Sequence, residues 1–153
     1  ATIIKALSYL EDNIHLVLVG EGPLLEKNKE LSKMLNLQNR VHYLGFRDDV
    51  ERIFKTSDIV IISSHWEGFG LVAAEGMATG KPVIASDVDG LREVVYGAGI
   101  LFELGNYKEL SKKILNLLEN EDKYKRVSAK CLKRSAKYDI NIMADEYLKV
   151  YIE

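Results

Sequence analysis

Apolar positions along this chain fall into short unbroken runs that alternate with stripes of helical period. Ile3, Ile4, Leu7 and Leu10 share one helical face within Ala1 to Leu10. Ile14 to Val19 is a short apolar run ended by Gly20, which predicts a buried strand. Gly20-Glu21-Gly22-Pro23 is a turn, and Pro23 is pre-set for the first turn of a helix that runs to about Leu37. Arg40 to Leu44 predicts a second strand, closed by Gly45, and Asp48 is placed to cap a helix through Val50, Ile53 and Phe54. A third strand is expected over Asp58 to Ile62, a helix over Leu71 to Ala78 and a strand over Pro82 to Ala85. Gly90 to Val95 reads as a short helix or turn, and Ile100 to Phe102 as a last short strand. Asn106 caps a helix that carries Leu110, Ile114, Leu117 and Leu118 on one face. Helices over Asp122 to Tyr138 and Asn141 to Ile152 end the chain.

Strands alternate with helices, and the strands are apolar throughout instead of alternating. That predicts a parallel sheet covered on both faces, a doubly wound, Rossmann-like α/β domain. The length of 153 residues suits one domain, residues 1–153, with no internal boundary. One feature departs from the doubly wound scheme. The chain opens on a helix, whereas the order 3-2-1-4-5-6 puts the first strand at the centre of the sheet. If the strand at Ile14 is the second of six, the first, central strand is lacking here. The expectation is a C-terminal part of a longer protein.

Composition narrows the function classes. The apolar fraction is 47%, the charged fraction 29% and the net charge −2. Basic residues are scattered, which argues against nucleic acid as the ligand, because a phosphate-backbone footprint needs a concentrated basic face. The one basic cluster, from Lys123 to Lys137, reads as a solvated helix face, with contact to acidic lipid head groups as its functional alternative. No run approaches the roughly 18 apolar residues of a membrane span. The first residues lack the charged region and cleavage site of a secretory leader, so a cytoplasmic setting is expected, up to the inner face of the membrane. The single cysteine, Cys131, rules out an internal disulfide and reads as a half-buried helix residue.

The candidate chemistry lies between Ser63 and Ser86. Ligands of open parallel sheets bind at the carboxyl ends of the strands, and the loop after Ile62 is such an end. Gly68 and Gly70 let the backbone approach a ligand closely. Amides from Phe69 to Val72 then open a helix, where orphan N–H groups and the helix dipole favour an anion such as a diphosphate. Glu75, one turn into the helix, is suited to accept hydrogen bonds from the vicinal hydroxyls of a ribose. Glu67, before the helix, reaches another part of the same ligand. Two acceptors bracketing an anion site describe a nucleotide sugar. The parts alone read more plainly: Gly-Phe-Gly as a tight turn, Glu75 as a solvated residue, Gly76 as a close-packing position. The two glutamates as acid and base of a glycoside hydrolase rank lower, since a hydrolase needs no anion site.

The complete string Glu67-Gly68-Phe69-Gly70-Leu71-Val72-Ala73-Ala74-Glu75-Gly76-Met77-Ala78-Thr79-Gly80-Lys81-Pro82 resembles the E-x7-E region of retaining family 4 glycosyltransferases of the GT-B fold. The likeness extends to Leu16–Pro23, Val41–Phe46, Asp58–Ser64 and Asp89–Val95. It implies the donor-binding half of a GT-B enzyme that moves a sugar from a nucleotide sugar, such as a UDP- or GDP-sugar, to an acceptor hydroxyl with retention. It places such an enzyme in polysaccharide, lipopolysaccharide or glycolipid synthesis. It makes Glu67 the catalytic candidate near the reacting centre. It assigns Gly68, Phe69, Gly70, Leu71 and Val72 to sugar and diphosphate, largely through backbone, and Glu75 to the ribose. Gly45, Phe46 and Arg47 would line the base pocket, with Gly20 at the neighbouring strand end. No metal or other cofactor is implied. The family's Gly-Arg loop and following lysine, and the N-terminal domain that binds the acceptor glycan or glycolipid, have no counterpart in this chain, so the fragment alone is expected to be inactive. His65 adjoins the site without matching the family's catalytic histidine, and Trp66 reads equally as a sugar platform or a loop anchor. The alternatives are a catalytically silent nucleotide-sugar binding or scaffolding domain and a GT-B sugar-nucleotide epimerase.

Overall fold

The computed structural model describes residues 1–152, and of residues 143, 145–147, 150 and 152 the backbone alone. Glu153, the last residue of the expected domain, lies outside the described residues. The elements follow the order α1 (Thr2–Leu7), β1 (Leu16–Leu18), α2 (Leu25–Met34), β2 (Val41–Tyr43), α3 (Val50–Thr56), β3 (Val60–Ile62) and α4 (Leu71–Ala78). They continue as β4 (Val83–Ser86), α5 (Asp89–Val95), β5 (Ile100–Phe102), α6 (Tyr107–Leu118), α7 (Glu121–Ser135), a 3-10 turn at Ala136–Tyr138 and α8 (Ile140–Ile152). Every strand pairing is parallel, as expected of a Rossmann-like α/β domain.

The strands form two separate sheets, β1-β2 and β3-β4-β5. Numbered for a sheet whose first strand is missing, this is the order 3-2, a gap, then 4-5-6. An open slot with a volume of about 1180 Å³ lies between β1 and β3. The slot also accounts for one correction. The run at Ile14 was expected to be a buried strand, yet Val17 is 41% exposed and Val19 37% exposed. Their apolar character anticipates a cover that these residues do not provide.

The core lies on the other side. All four residues of β4 are buried, and Val83, Ile84 and Ala85 are wholly enclosed. Met77 of α4, Leu91 and Val94 of α5, Leu110 and Leu117 of α6 and Cys131 of α7 close around them. Each fully buried aliphatic of this size contributes roughly 1.5–3 kcal/mol. Gly76 lets α4 press onto the sheet: a Cβ there would stand 2.9 Å from Val60 Cγ1 and 3.4 Å from Val83 Cγ2.

Several boundaries differ from expectation for local reasons. α1 stops at Leu7 instead of Leu10, its end followed by turn bonds from Tyr9 N to Ala6 O and from Leu10 N to Leu7 O. α2 begins at Leu25, so Pro23 stands ahead of the helix instead of in its first turn. Asp49, not Asp48, takes the cap position of α3, and its carboxylate binds Arg47 instead of the helix amides. Leu118 is 42% exposed and drops off the buried face of α6. Cys131 is fully buried, not half-buried, and burial raises its thiol pKa, partly countered by a hydrogen bond with the Val83 backbone. In the basic cluster, Arg134 donates to the Val94 and Glu93 carbonyls and Lys125 pairs with Glu121, while Arg126, Lys130, Lys133 and Lys137 remain exposed.

Candidate functional site

The carboxyl ends of β1, β2 and β3 each lead into a glycine-containing loop, and the last of these runs into α4. After β3, Ser63 and Ser64 turn away from the sheet, and the Ser86 hydroxyl donates to the Ser64 carbonyl at 2.6 Å. That bond ties the loop to the end of β4. The chain then runs through exposed His65 and Trp66, the latter 84% exposed. A packed-anchor role for Trp66 is therefore set aside, and its ring is free for a ligand.

Glu67 is half-buried. Its carbonyl and that of Gly68 lie directly over Gly90 at the start of α5, where a Cβ would come within 2.3 Å and 2.8 Å of the two oxygens. Only glycine admits this approach. Gly90 is thus a residue that positions the loop, and the sequence reading did not single it out for that role. The available signal was a glycine inside a helical segment, where it costs roughly 1 kcal/mol relative to alanine. Gly70 completes the turn at φ +84°, the left-handed region, with its missing side chain facing Gly90 O and Leu91 at 3.2 Å. The Phe69 ring packs edge-on against Tyr138, with centroids 5.7 Å apart. That contact anchors the loop, while Phe69 stays 38% exposed.

Gly70 caps α4 without a side-chain bond. Ala73 N and Ala74 N donate back to Gly70 O at 2.9 and 3.2 Å. The amides of Leu71 and Val72, in the first turn, have no intrahelical acceptor and point their partial positive charge outward. Leu71 and Val72 are themselves exposed, as is Glu75 one turn on.

On the β1–β2 side, Gly20 N donates to Gly45 O at 2.8 Å, which joins the two strand ends. Phe46 follows, 77% exposed. Arg47 donates Nε and Nη2 to the two carboxylate oxygens of Asp49 at 2.7 and 2.8 Å. That hydrogen-bonded pairing lowers the Asp49 pKa and raises that of Arg47. Arg92, in the last turn of α5, is held by two carboxylates, Asp87 at 2.5 Å and Asp89 at 2.9 Å.

The slot opens at this edge and brings Gly20, Phe46, Arg47, Val72 and Glu75 to one surface. Glu75 also faces a neighbouring cleft of about 500 Å³ with Asp48, Phe54 and Thr79. Gly45 and the segment Glu67 to Leu71 lie outside both linings, on the loops above. Chemically, the edge offers backbone donors, two carboxylates and an exposed aromatic. Among the described residues no cluster of three or more His, Cys, Asp or Glu is grouped to hold a metal ion. None of the helices, among the described residues, is long and apolar enough to cross a membrane.

The chain is similar to two named sugar transferases and to a solved UDP-binding protein. The N,N'-diacetylbacillosaminyl-diphospho-undecaprenol alpha-1,3-N-acetylgalactosaminyltransferase of Campylobacter jejuni is 33% identical over 150 residues, covering 96% of this chain and 39% of that protein. The UDP-Gal:alpha-D-GlcNAc-diphosphoundecaprenol alpha-1,3-galactosyltransferase of Escherichia coli is 30% identical, covering 90% of this chain and 36% of its own length. Crystal structures of Anabaena HepE with UDP and with UDP-glucose superpose with TM-scores of 0.93 and 0.92, at 27% and 28% identity. Each covers 98% of this chain and 44% of the HepE chain. The chain therefore spans about two fifths of the length of these relatives. The family of glycosyl transferases group 1 matches residues 1–134. The chain belongs to that family, and its parallel α/β architecture is that of the Rossmann-like C-terminal half of a GT-B enzyme.

Proposed function

We propose that this chain is the donor-binding half of a retaining glycosyltransferase. It binds a nucleotide sugar, and the complete enzyme transfers the sugar to an acceptor hydroxyl in polysaccharide or glycolipid synthesis. The observation that carries this reading is the meeting of the α4 amino end, Glu75 and the Gly20 and Phe46 loops around one opening. A nucleotide sugar needs these elements side by side: a base platform, a ribose acceptor and a diphosphate site. In this reading Phe46 and Arg47 border the base, Gly20 and Gly45 admit it, and Glu75 accepts from the ribose hydroxyls. The amides of Leu71 and Val72 meet the diphosphate, where preorganised N–H donors offset the charge that grows on the leaving group. Glu67 and the backbone of Gly68 to Gly70 face the sugar near the bond that breaks. The UDP and UDP-glucose complexes of Anabaena HepE favour UDP over GDP or ADP as the nucleotide. The diphosphoundecaprenol substrates named for two relatives favour a glycolipid acceptor, held by a domain outside this chain. Exposed Arg126, Lys130, Lys133 and Lys137 are suited to the acidic head groups around such an acceptor.

Titration calorimetry with UDP-, GDP- and ADP-glucose tests the reading. Binding of the UDP sugar is expected, weakened about tenfold or more by Glu75→Ala through loss of charge-assisted hydrogen bonds. Equal affinity in variant and parent removes Glu75 from the ribose. A second reading is a binding unit with no turnover of its own. It draws on Arg47 and Arg92, which aspartates already engage. Transfer assays on the complete protein separate the two: donor binding without any glycosyl transfer favours the silent unit.

A further inference from the structure

Two of the three histidines meet toward the amino end of the β1–β2 half-sheet, away from the Gly20 and Gly45 loops. His15 stands just ahead of β1, and His42 is the middle residue of β2, opposite Val17 in the parallel register. Strand side chains alternate between faces. His15 and His42 therefore share the open face of the half-sheet with Val17 and Leu44, while Leu16, Leu18 and Tyr43 pack on the core. His15 Nδ1 and His42 Nε2 lie 3.0 Å apart, and the ring centroids are separated by 5.3 Å with planes 23° from parallel. That centroid distance is the nitrogen separation plus one ring radius at each end, so both nitrogens lie on the line between the rings. The imidazoles thus meet edge to edge through one N–H···N bond and do not stack face to face. The backbone around them is pinned. Leu16 N donates to Arg40 O at 2.8 Å, Arg40 Nε donates to Ile14 O at 3.0 Å, and Val41 N donates to Leu37 O at 3.0 Å. The outward nitrogens, His15 Nε2 and His42 Nδ1, make no hydrogen bond to protein among the described residues.

We propose that His15 and His42 form a chelating site for one divalent transition-metal ion of the zinc, copper or nickel kind. Imidazole nitrogens bind such ions at about 2.0–2.1 Å. Two of them on one ion stand about 2.8–3.4 Å apart for bond angles from right-angled to tetrahedral. The observed 3.0 Å lies inside that interval. The exchange of proton for metal balances within the pair. The ion accepts the lone pairs of His15 Nδ1 and His42 Nε2, and the proton shared between them passes through solvent to the outward nitrogen of the ring that carried it. Each neutral ring then binds the ion through one nitrogen and water through the other, and nothing is oxidised or reduced. Both rings are exposed, so they turn until their lone pairs converge, and water fills the remaining positions on the ion. Imidazole selects these ions over Mg2+ and Ca2+, which take oxygen ligands. Glu11, Asp58 and Glu119 line the same slot as His15 and add a field that favours a cation. Among the described residues no third side chain completes a cluster with the pair, so the site is open and exchangeable, unlike a closed structural one. The bound ion joins segments 27 positions apart and clasps β1 to β2. The proposal does not rest on the donor-binding reading, because the pair and the donor surface lie toward opposite ends of β1.

The test titrates Zn2+ into chelator-treated protein, with Mg2+ as the control, and follows the imidazole nitrogens by NMR. The chain has three histidines, so His65 serves as an internal reference. One ion per chain is expected to shift the ring signals of His15 and His42 together and to fix His15 as the Nε2–H and His42 as the Nδ1–H tautomer. His65 is expected to stay in place, and Mg2+ to have no effect. In calorimetry, His15→Gln and His42→Gln are each expected to weaken zinc binding about tenfold or more, and the double variant no further than either single one, because the two nitrogens act as one chelate. The spectra of the unaltered chain carry the test whether or not the variants fold. Equal shifts at all three histidines would overturn the proposal, as would equal binding of Mg2+ or unchanged affinity in both single variants. Association of chains that rises with zinc would assign the ion to a contact between two copies and overturn it as well.

Discussion

Gly90 shows how a single missing methyl group can set the geometry of the site. Its Cα lies beneath the carbonyls of Glu67 and Gly68, and a Cβ would stand 2.3 Å from the first of them. Neither oxygen belongs to a flexible side chain, so relief requires the loop itself to move. Gly90→Ala is expected to lower stability by about 1–3 kcal/mol, the range for overpacking, and to weaken UDP-sugar binding by displacing Glu67. Thermal melts give the first effect and calorimetry the second. Unchanged binding by a destabilised variant would show that the loop position does not matter to the donor. The chemistry of this residue region was partly legible in the sequence. The string from Glu67 to Glu75 identified the loop and helix start, because glycine spacing and an acidic position one turn on are local features. Gly90 was not legible, because its role depends on a contact between segments more than twenty positions apart. The anchoring of Phe69 on Tyr138 was hidden for the same reason.

At the scale of elements, the hydrophobic period located every strand and helix, and most corrections are of one to three residues at the ends. Ends are set by caps, and caps compete. Asp49 has the right type and place to cap α3, but Arg47 two residues before it takes the carboxylate, and a charge-assisted bidentate pair outbids a single backbone amide. Asn106 has no such competitor. Its side-chain oxygen accepts from Glu109 N at 3.0 Å, and Glu109 in turn accepts from Glu103 N at 2.7 Å. The pair holds the turn between β5 and α6, the helix that brings Leu110 and Leu117 into the core. Asn106→Ala is expected to cost about 1 kcal/mol, within the usual range for a lost amino-terminal cap. Urea unfolding measures it as a lower midpoint at unchanged slope. A shift within error would mean that Glu109 alone holds the turn.

Over the whole molecule, the two half-sheets differ in how far they are enclosed. β4 has a strand on each side and buries all its residues, whereas β1 has one neighbour and leaves Val17 half in solvent. The α/β pattern was legible in the sequence, and the gap expected in the sheet agrees with the two separate half-sheets. The consequence for β1 was not legible, since an apolar run reads as buried whether or not its cover is at hand. Local opening follows enclosure: segments with few buried contacts exchange through small fluctuations, and enclosed ones only through near-global unfolding. The Leu18 amide of β1 is therefore expected to exchange at least about tenfold faster than that of Ile84, although both belong to strand ladders. The Phe46 and Arg47 loop sits on the weaker half and the α4 amino end on the stronger. A donor that bridges them should slow exchange at Leu18 more than at Ile84, because binding adds stability only to openings that release the ligand. Exchange measured with and without UDP-glucose checks both statements. Equal rates at the two amides would mean that the slot leaves β1 no weaker than the core. Uniform slowing by the donor would mean that the two halves open together.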